Sequence, residues 1–148
     1  MNNINLDEIY EQCYYETLYK HITSEPPRFE MLIDLLKNIK HKFCFILKKD
    51  SDLSIEIQER LDEQYVKQML YNNSFDDEDF YNLALYIFTK CKELCAPQRD
   101  SSIDFMIASL HSSCKNNINM EIIQFVKNVN TCLEWLYMDL RLFLNETK

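Results

Sequence analysis

Apolar side chains recur at intervals of three and four residues along almost the whole chain, which is the spacing of one helix face. In the first segment the predicted apolar stripe consists of Ile9, Cys13, Tyr14, Thr17, Leu18 and His21. The pattern predicts about six helices: Leu6–Ile22, a segment led by Pro27 that ends at Leu47, Leu53–Met69, Phe80–Cys95, about Ile103–Cys114 and about Met120–Asn145. Residues 53–58 alternate as a strand does, but their continuation has helical spacing. We therefore expect a single all-α domain over 1–148, built as one helical bundle.

The turns between these helices must form without glycine, because the chain contains none. Left-handed turn positions then fall to Asn or Asp, and the Asn pair at 72–73 is the candidate in the loop before the fourth helix. Ser74 or Asp76 can cap that helix, and the acidic residues that follow suit its first turn better than a metal site. Ser101 and Asp104 have near capping-box spacing. Short Asn, Pro and Ser turns are therefore expected throughout.

Charge and composition exclude several functional classes. The formal net charge is −8, from 16 basic and 24 acidic side chains, and such a surface repels nucleic acid and anionic membranes. Without glycine, the chain can form no Walker loop, dinucleotide fingerprint or calcium-binding loop. The polar, acidic start is unlike a secretory signal, and the longest apolar run, 43–47, is too short to span a bilayer. We expect a cytoplasmic protein that binds neither nucleic acid nor a cofactor.

Six cysteines raise the question of a metal or redox site. Cys91 and Cys95 lie one helical turn apart, and the other candidate pairs are His41 with Cys44 and His111 with Cys114. A structural zinc site needs four ligands, so clustering of Cys44, Cys91, Cys95 and His111 would be required. Since these thiols fall on apolar stripes, buried core thiols are the favoured interpretation and we assign no metal ligand. A cysteine nucleophile lacks an oxyanion hole and a positioned third group, so no enzyme activity is expected.

The stretch LCAPQRD, residues 94–100, predicts a corner between two helices. Pro97 has no N–H and excludes Ala96 from helical geometry, so the helix must end there. Arg99 can donate to the carbonyl groups at the end of that helix, and Asp100 can accept from the first N–H groups of the next. The pair would then clamp the corner, either as a fixed surface point for a partner or as structure alone.

The same stretch resembles the LCAP-x-RD signature of the T-complex protein 11 family. The residues of this candidate interaction signature are Leu94, Cys95, Ala96, Pro97, Arg99 and Asp100. Three other blocks are similar to the family and occur in family order: PPRFEMLIDLLKNIKHKFCFIL, RLDEQYVKQ and CLEWLYMDLRLFL. In the last block, Leu133, Met138 and Asp139 fall in corresponding places. Family domains run well beyond this length, so the resemblance implies the N-terminal portion of the domain.

The resemblance implies a helical, non-enzymatic interaction or adaptor protein of intracellular signal transduction. It also implies an association with cyclic-AMP/protein kinase A signalling and with sperm function, so the expected partners are proteins of that pathway. A homodimer, formed through surface left by a missing C-terminal half, is a further expectation. Two alternatives stay open from the residues alone. One is a small viral- or parasite-type helical bundle, Bcl-2-like, that binds host helices. The other is a Cys/His metal-binding helical protein.

Overall fold

The computed structural model describes residues 5–113 and 118–146. In these residues the chain forms seven α-helices and one short 3-10 helix. In chain order they are α1 (Leu6–Ile22), α2 (Glu30–Ile46), α3 (Asp52–Arg60), α4 (Glu63–Tyr71), α5 (Asp77–Leu94), the 3-10 helix (Pro97–Arg99), α6 (Asp100–Ser113) and α7 (Ile118–Glu146). No strand occurs in these residues, and the prediction of an all-α bundle is confirmed. None of the helices they form is both long and apolar enough to cross a bilayer.

The third predicted helix is in fact two helices, α3 and α4. The first ends at Arg60, and Asp62 then caps the second by accepting hydrogen bonds from the N–H groups of Gln64 (3.1 Å) and Tyr65 (3.2 Å). Because an Asp at this position satisfies the free N–H groups of a helix start, it begins a new helix rather than continuing the old one. Glu63 then pairs with Lys40, which fixes α4 against α2.

The start of α5 follows the local sequence closely. The Asp76 carboxylate accepts from the Asp79 N–H (2.8 Å), and the Asp79 carboxylate accepts from the Asp76 N–H (3.2 Å). This reciprocal pair is a capping box, so Asp76, not Ser74, is the cap. In the preceding loop, Asn73 takes the left-handed conformation (φ 55°) that a glycine would otherwise supply.

Two predicted helix starts were wrong. Pro27 lies before α2 rather than in its first turn, because the helix begins at Glu30. Ser101 and Asp104 form no capping box, because α6 begins at Asp100 and both residues are already inside it. The Asp104 carboxylate instead accepts from Lys92 of α5 at 2.9 Å, an exposed ion pair between consecutive helices. The connection between α6 and α7, residues 114–117, lies outside the described residues.

Helix α7 is the central element, since α1, α2, α5 and α6 all pack against it. Phe80 and Phe88 of α5 each place a ring 5.5 Å from Phe125 of α7 in edge-to-face geometry. The α5 helix runs parallel to α7, because its C-terminal end reaches Asp139 while Phe80 meets Phe125. The α2 helix is also parallel to α7, and Phe45 near its end lies 6.3 Å from Tyr137. A short connection joins the end of α1 to the start of α2, so α1 runs antiparallel to both α2 and α7.

Helix α1 packs through a different face from the one predicted. Its buried residues are Tyr15, Leu18 and Ile22, so of the predicted stripe only Leu18 is buried. Apolar side chains occur on both sides of this helix, so spacing alone cannot choose the buried side. The choice depends on α7, where the Asn130 side-chain amide donates to the Tyr15 hydroxyl at 2.7 Å and lets a tyrosine enter the core.

The capping box predicts a measurable share of stability. Replacing Asp76 with Ala removes one acceptor for the first turn of α5, and we expect a loss of about 1 kcal/mol in the free energy of unfolding. Urea denaturation followed by far-UV circular dichroism measures this loss. Asp77→Ala is the matched control, because it removes a first-turn charge without a cap and should cost about 0.5 kcal/mol or less. Equal losses in the two variants would contradict the capping role.

Candidate functional site

The corner predicted at residues 94–100 is present. The last helical bond of α5 runs from the Cys95 N–H to the Cys91 carbonyl at 2.8 Å. Cys95 and Ala96 are then extended, as expected for residues near a proline, and Pro97 opens the 3-10 helix at its first position. The chain turns here without any residue in the left-handed conformation. The φ angles of Cys95, Ala96 and Asp100 are all negative.

The Asp139 carboxylate of α7 holds this corner. Its Oδ2 accepts from the Ala96 N–H at 2.9 Å, and its Oδ1 accepts from Nη2 of Arg99 at 3.3 Å. The Asp139 side chain is only 10% exposed and that of Arg99 22%, so water screens the pair weakly. One carboxylate therefore replaces the lost helical partner of a backbone N–H and neutralises a guanidinium.

Arg99 also makes the third contact between the corner and α7. Its guanidinium carbon lies 5.1 Å from the ring centre of Trp135, within cation–π range. Its Nε atom is buried and has no hydrogen-bond partner among the described residues. A lysine could not reproduce this arrangement, because it lacks the planar group that covers a ring while it donates sideways to a carboxylate.

These contacts correct the predicted clamp. Arg99 was expected to donate to the last carbonyl groups of α5, but it donates to Asp139 instead. Asp100 was expected to cap α6 from outside, but it already has helical geometry (φ −56°, ψ −47°) as the first residue of that helix. The first error has a clear cause, since the acceptor of Arg99 lies 40 residues away on another helix.

Most of the signature faces inward. Cys95 is buried, whereas Leu94, Ala96, Arg99 and Asp100 are half-buried. Of the predicted residues, Pro97 alone is classed as exposed, and its neighbour Gln98 is exposed as well. The side chains that define the corner are therefore occupied with α7, and Pro97 presents only a small surface to a partner.

Behind the corner lies a group of buried thiols. The Cys95 thiol donates to the Cys132 carbonyl (3.7 Å), and the Cys132 sulfur lies 3.5 Å from the Met106 sulfur. A hydrogen bond with Cys132, together with burial, raises the pKa of Cys91. Burial, with the nearby Cys132 and Asp139, raises the pKa of Cys95 to about 12. The Cys91 and Cys95 thiols are therefore protonated at neutral pH, whereas the hydrogen bond with Cys91 lowers the pKa of Cys132.

The proposed metal ligands are not brought together in the described part of the chain. It contains no group of three or more His, Cys, Asp or Glu side chains placed to hold a metal ion. Cys132 was missed because it has no cysteine or histidine neighbour in sequence, although it lies on the apolar stripe of α7. The predicted pair of His111 and Cys114 lies outside the described side chains.

Two surface features accompany the corner. At the same end of the bundle, after Leu136, no residue of α7 up to 144 is buried. The exposed or half-buried apolar residues here include Phe45, Tyr137, Met138, Leu142 and Phe143, and we call these five the apolar end. The second feature is a groove between α1 and α7, lined by residues from Glu8 to Lys20 and from Met120 to Glu134. We call it the α1/α7 groove, and its volume is about 910 Å³.

Comparisons with known proteins agree on one family. The sequence model of the T-complex protein 11 family matches residues 6–144. The chain is 29% identical over 97 residues to human T-complex protein 11 homolog, a match that covers 65% of this chain and 19% of that protein. It is 32% identical over 91 residues to mouse T-complex protein 11, covering 61% and 16%. It is 32% identical over 92 residues to human T-complex protein 11-like X-linked protein 1, covering 62% and 18%.

The matched segment thus spans less than a fifth of the length of these curated relatives. No solved structure matches the chain.

The corner contacts predict a large effect of Asp139→Ala. This change leaves the Ala96 N–H without its acceptor and the half-buried Arg99 without its counter-charge, so we expect the free energy of unfolding to fall by about 2 kcal/mol. Arg99→Ala and the double variant complete a cycle, in which we expect a coupling energy of about 1 kcal/mol. Urea denaturation measures all three variants.

Asp104→Ala is the control for this cycle, because its pair with Lys92 is exposed and should contribute less than about 0.5 kcal/mol. An Asp139→Ala variant no less stable than this control would remove the corner's clamping role.

The raised pKa of Cys95 predicts a pH dependence. The unfolded thiol loses its proton near its ordinary pKa of 9.0, and the folded thiol only near about 12. The stability it contributes is therefore complete below pH 9 and is lost as pH rises between these values. We expect Cys95→Ala to make the alkaline loss of stability less steep, by up to about 1 kcal/mol per pH unit.

Urea denaturation at a series of pH values above neutrality tests this, with exposed Cys13→Ala as the control. If the two variants show the same alkaline slope, burial does not hold the Cys95 proton.

Proposed function

The chain belongs to the T-complex protein 11 family, and we propose that it acts as a non-enzymatic helical adaptor in intracellular signal transduction. The proposed partners are protein components of cyclic-AMP/protein kinase A signalling, in the cytoplasm, as the family resemblance implies. The matched segment is a small part of each curated relative, so this proposal concerns a binding unit rather than the activity of a whole relative.

The observation that carries the proposal is the apolar end. Phe45 is 80% exposed, and Phe143, Leu142 and Met138 are each more than half exposed. Large apolar side chains exposed at one end of a soluble protein are typical of an interaction site. Covering each of these side chains with a partner would contribute roughly 1.5–3 kcal/mol, reduced by the cost of association.

The corner gives this surface a fixed position. The Asp139 carboxylate ties α7 to the corner, and Leu142 follows one turn later. The carboxylate that holds Ala96 and Arg99 therefore anchors α7 where its exposed part begins. On this basis we propose that signature residues 94–100 position the binding surface rather than form it.

Charges around the apolar end favour an acidic partner. Lys42, Lys48 and Lys49 are exposed close to Phe45 in sequence, and Arg141 is exposed on α7 beside Leu142. A rim of like charge steers partners of opposite charge and rejects others. A second copy of this chain, with its net charge of −8, is the other occupant that such a rim would admit.

A second candidate function has one observation in its favour. The alternative of a bundle that binds partner helices requires a groove between two helices, and the α1/α7 groove has that form. It is lined by two antiparallel helices, and its lining on α7 ends at Glu134, one turn before Met138 of the apolar end.

The adaptor proposal predicts that Phe45→Ser with Phe143→Ser weakens partner binding at least tenfold, because two large apolar anchors are lost. The measurement is biolayer interferometry with purified regulatory and catalytic subunits of protein kinase A, offered separately. Phe105→Ser is the matched control, since Phe105 is 72% exposed but lies on α6.

Sedimentation equilibrium of the same variants separates the two occupants. Wild-type binding to a kinase subunit that only the double variant loses supports the adaptor. Self-association that only the double variant loses assigns the apolar end to a homodimer and counts against the kinase partner. No binding and no self-association would overturn the proposal.

A further inference from the structure

The α1/α7 groove has charged residues at both ends and an apolar floor. Its α1 wall carries Glu8, Glu11, Gln12, Glu16 and Lys20, and its α7 wall carries Lys127, Asn130, Thr131 and Glu134. Between the walls lie Tyr15, Tyr19, Met120 and Ile123. Tyr15 and Ile123 are buried and Tyr19 is half-buried, so this floor belongs to the core while its upper surface remains open.

One end of the groove is acidic. Because α1 and α7 are antiparallel, the N-terminal half of α1 lies beside the C-terminal half of α7, which brings Glu8 and Glu11 to the same end as Glu134. Glu11 and Glu134 both contribute to the field at the Tyr15 hydroxyl. Among the described side chains, no ion pair involves any of these three glutamates. Their charges therefore remain available to a ligand.

Two lysines lie beyond this acidic end, Lys127 near the middle of the groove and Lys20 at its far end. Lys20 stands in the last turn of α1, and the Lys127 ammonium lies 5.3 Å from the ring centre of Tyr15. Neither forms an ion pair with another described side chain. The groove is therefore acidic at the end formed by Glu8, Glu11 and Glu134, whereas the rest of it carries the two ammonium groups together with the carboxylate of Glu16.

The dimensions of the groove suit a short helix. Its lining on α1 extends from Glu8 to Lys20, which at 1.5 Å per residue is about 18 Å, or about three helical turns. A third helix laid along two others buries its apolar stripe in the channel between them, as in helix-in-groove recognition. The walls then contact the flanks of that helix, where charges decide specificity.

We propose that the α1/α7 groove binds a basic amphipathic helix of a partner protein, with its Lys or Arg residues against Glu8, Glu11 and Glu134. The apolar stripe of this helix covers Tyr19 and Met120, above the buried Tyr15 and Ile123. An acidic residue or the C-terminal end of the helix faces Lys20 and Lys127, which sets its orientation. The inference rests on the second candidate function and adds to it the charge and direction of the ligand.

The test uses three helix-stabilised, fluorescein-labelled peptides of about 14 residues, long enough for three turns and a short overhang. Each carries leucines at i, i+3, i+4 and i+7, and each has the same three flanking positions near one end occupied by Arg, Gln or Glu. Fluorescence anisotropy with the full chain measures binding. We expect the Arg peptide to bind at least tenfold more tightly than the Gln peptide, and the Glu peptide to bind weakest.

A charge-neutral variant of the groove identifies the site. Glu8→Gln, Glu11→Gln and Glu134→Gln together should weaken binding of the Arg peptide about tenfold and leave the Gln peptide unchanged. The matched control is Glu25→Gln, Glu59→Gln and Glu78→Gln, which removes the same charge from exposed positions elsewhere. Circular dichroism confirms that both triple variants are folded.

Salt gives an independent readout. Raising sodium chloride from about 0.05 M to about 0.5 M should weaken the Arg peptide and spare the Gln peptide, because only the former depends on exposed charge pairs. Loss of Arg-peptide binding in the groove variant alone, with this salt response, supports the inference.

Equal binding of the Arg and Gln peptides would overturn the inference but leave a helix-binding groove in place. Binding that both triple variants weaken equally would also overturn it, since net charge alone would explain that result. Failure of all three peptides would overturn both the inference and the second candidate function. None of these three results bears on the apolar end, because the groove variants leave its residues unchanged.

Discussion

A single carboxylate joins two parts of this bundle that lie 43 residues apart in the sequence. Asp139 accepts from the Ala96 N–H, which the end of α5 has left without a helical partner, and from Arg99 three residues later. A backbone N–H excluded from a helix must find an acceptor elsewhere when it is withdrawn from water. The Pro97 corner creates that demand, and α7 meets it with a charged oxygen. The path of the chain between α5 and α6 is thereby tied to the position of α7.

Because α7 is central in the bundle, the contact between Asp139 and the corner affects the packing of the other helices as well. With 29 residues, α7 is about 43 Å long, whereas α1 and α2 have 17 residues each. Four helices pack against it, and its buried residues end at Leu136. The two surfaces to which we assign binding both use this helix, one along its middle beside α1 and the other at its exposed end. The core and the binding surfaces are therefore properties of the same element, and changes in its packing would affect both.

Local chemistry made parts of the fold predictable. Asp76 precedes an acidic turn and an apolar run, and all three signals of the helix start lie within a few residues. The bounds of α1 were predictable for the same reason, since Asn5 accepts from the Asp7 N–H at 3.0 Å. What could not be predicted depends on distant residues. Periodicity could not select Tyr15 over Tyr14 for the core without Asn130, and no local pattern could direct Arg99 to Asp139.

The corner also limits which sequences this fold can accept. Positions 96, 97, 99 and 139 meet in one small volume, so two short motifs that are far apart in the sequence function as one unit. A lysine at 99 would keep the charge but lose the contact with Trp135, and an asparagine at 139 would keep one acceptor but lose the charge. We infer that substitutions at these positions are accepted together or not at all. In evolutionary terms, the corner and the segment of α7 from Trp135 to Asp139 are therefore expected to change together.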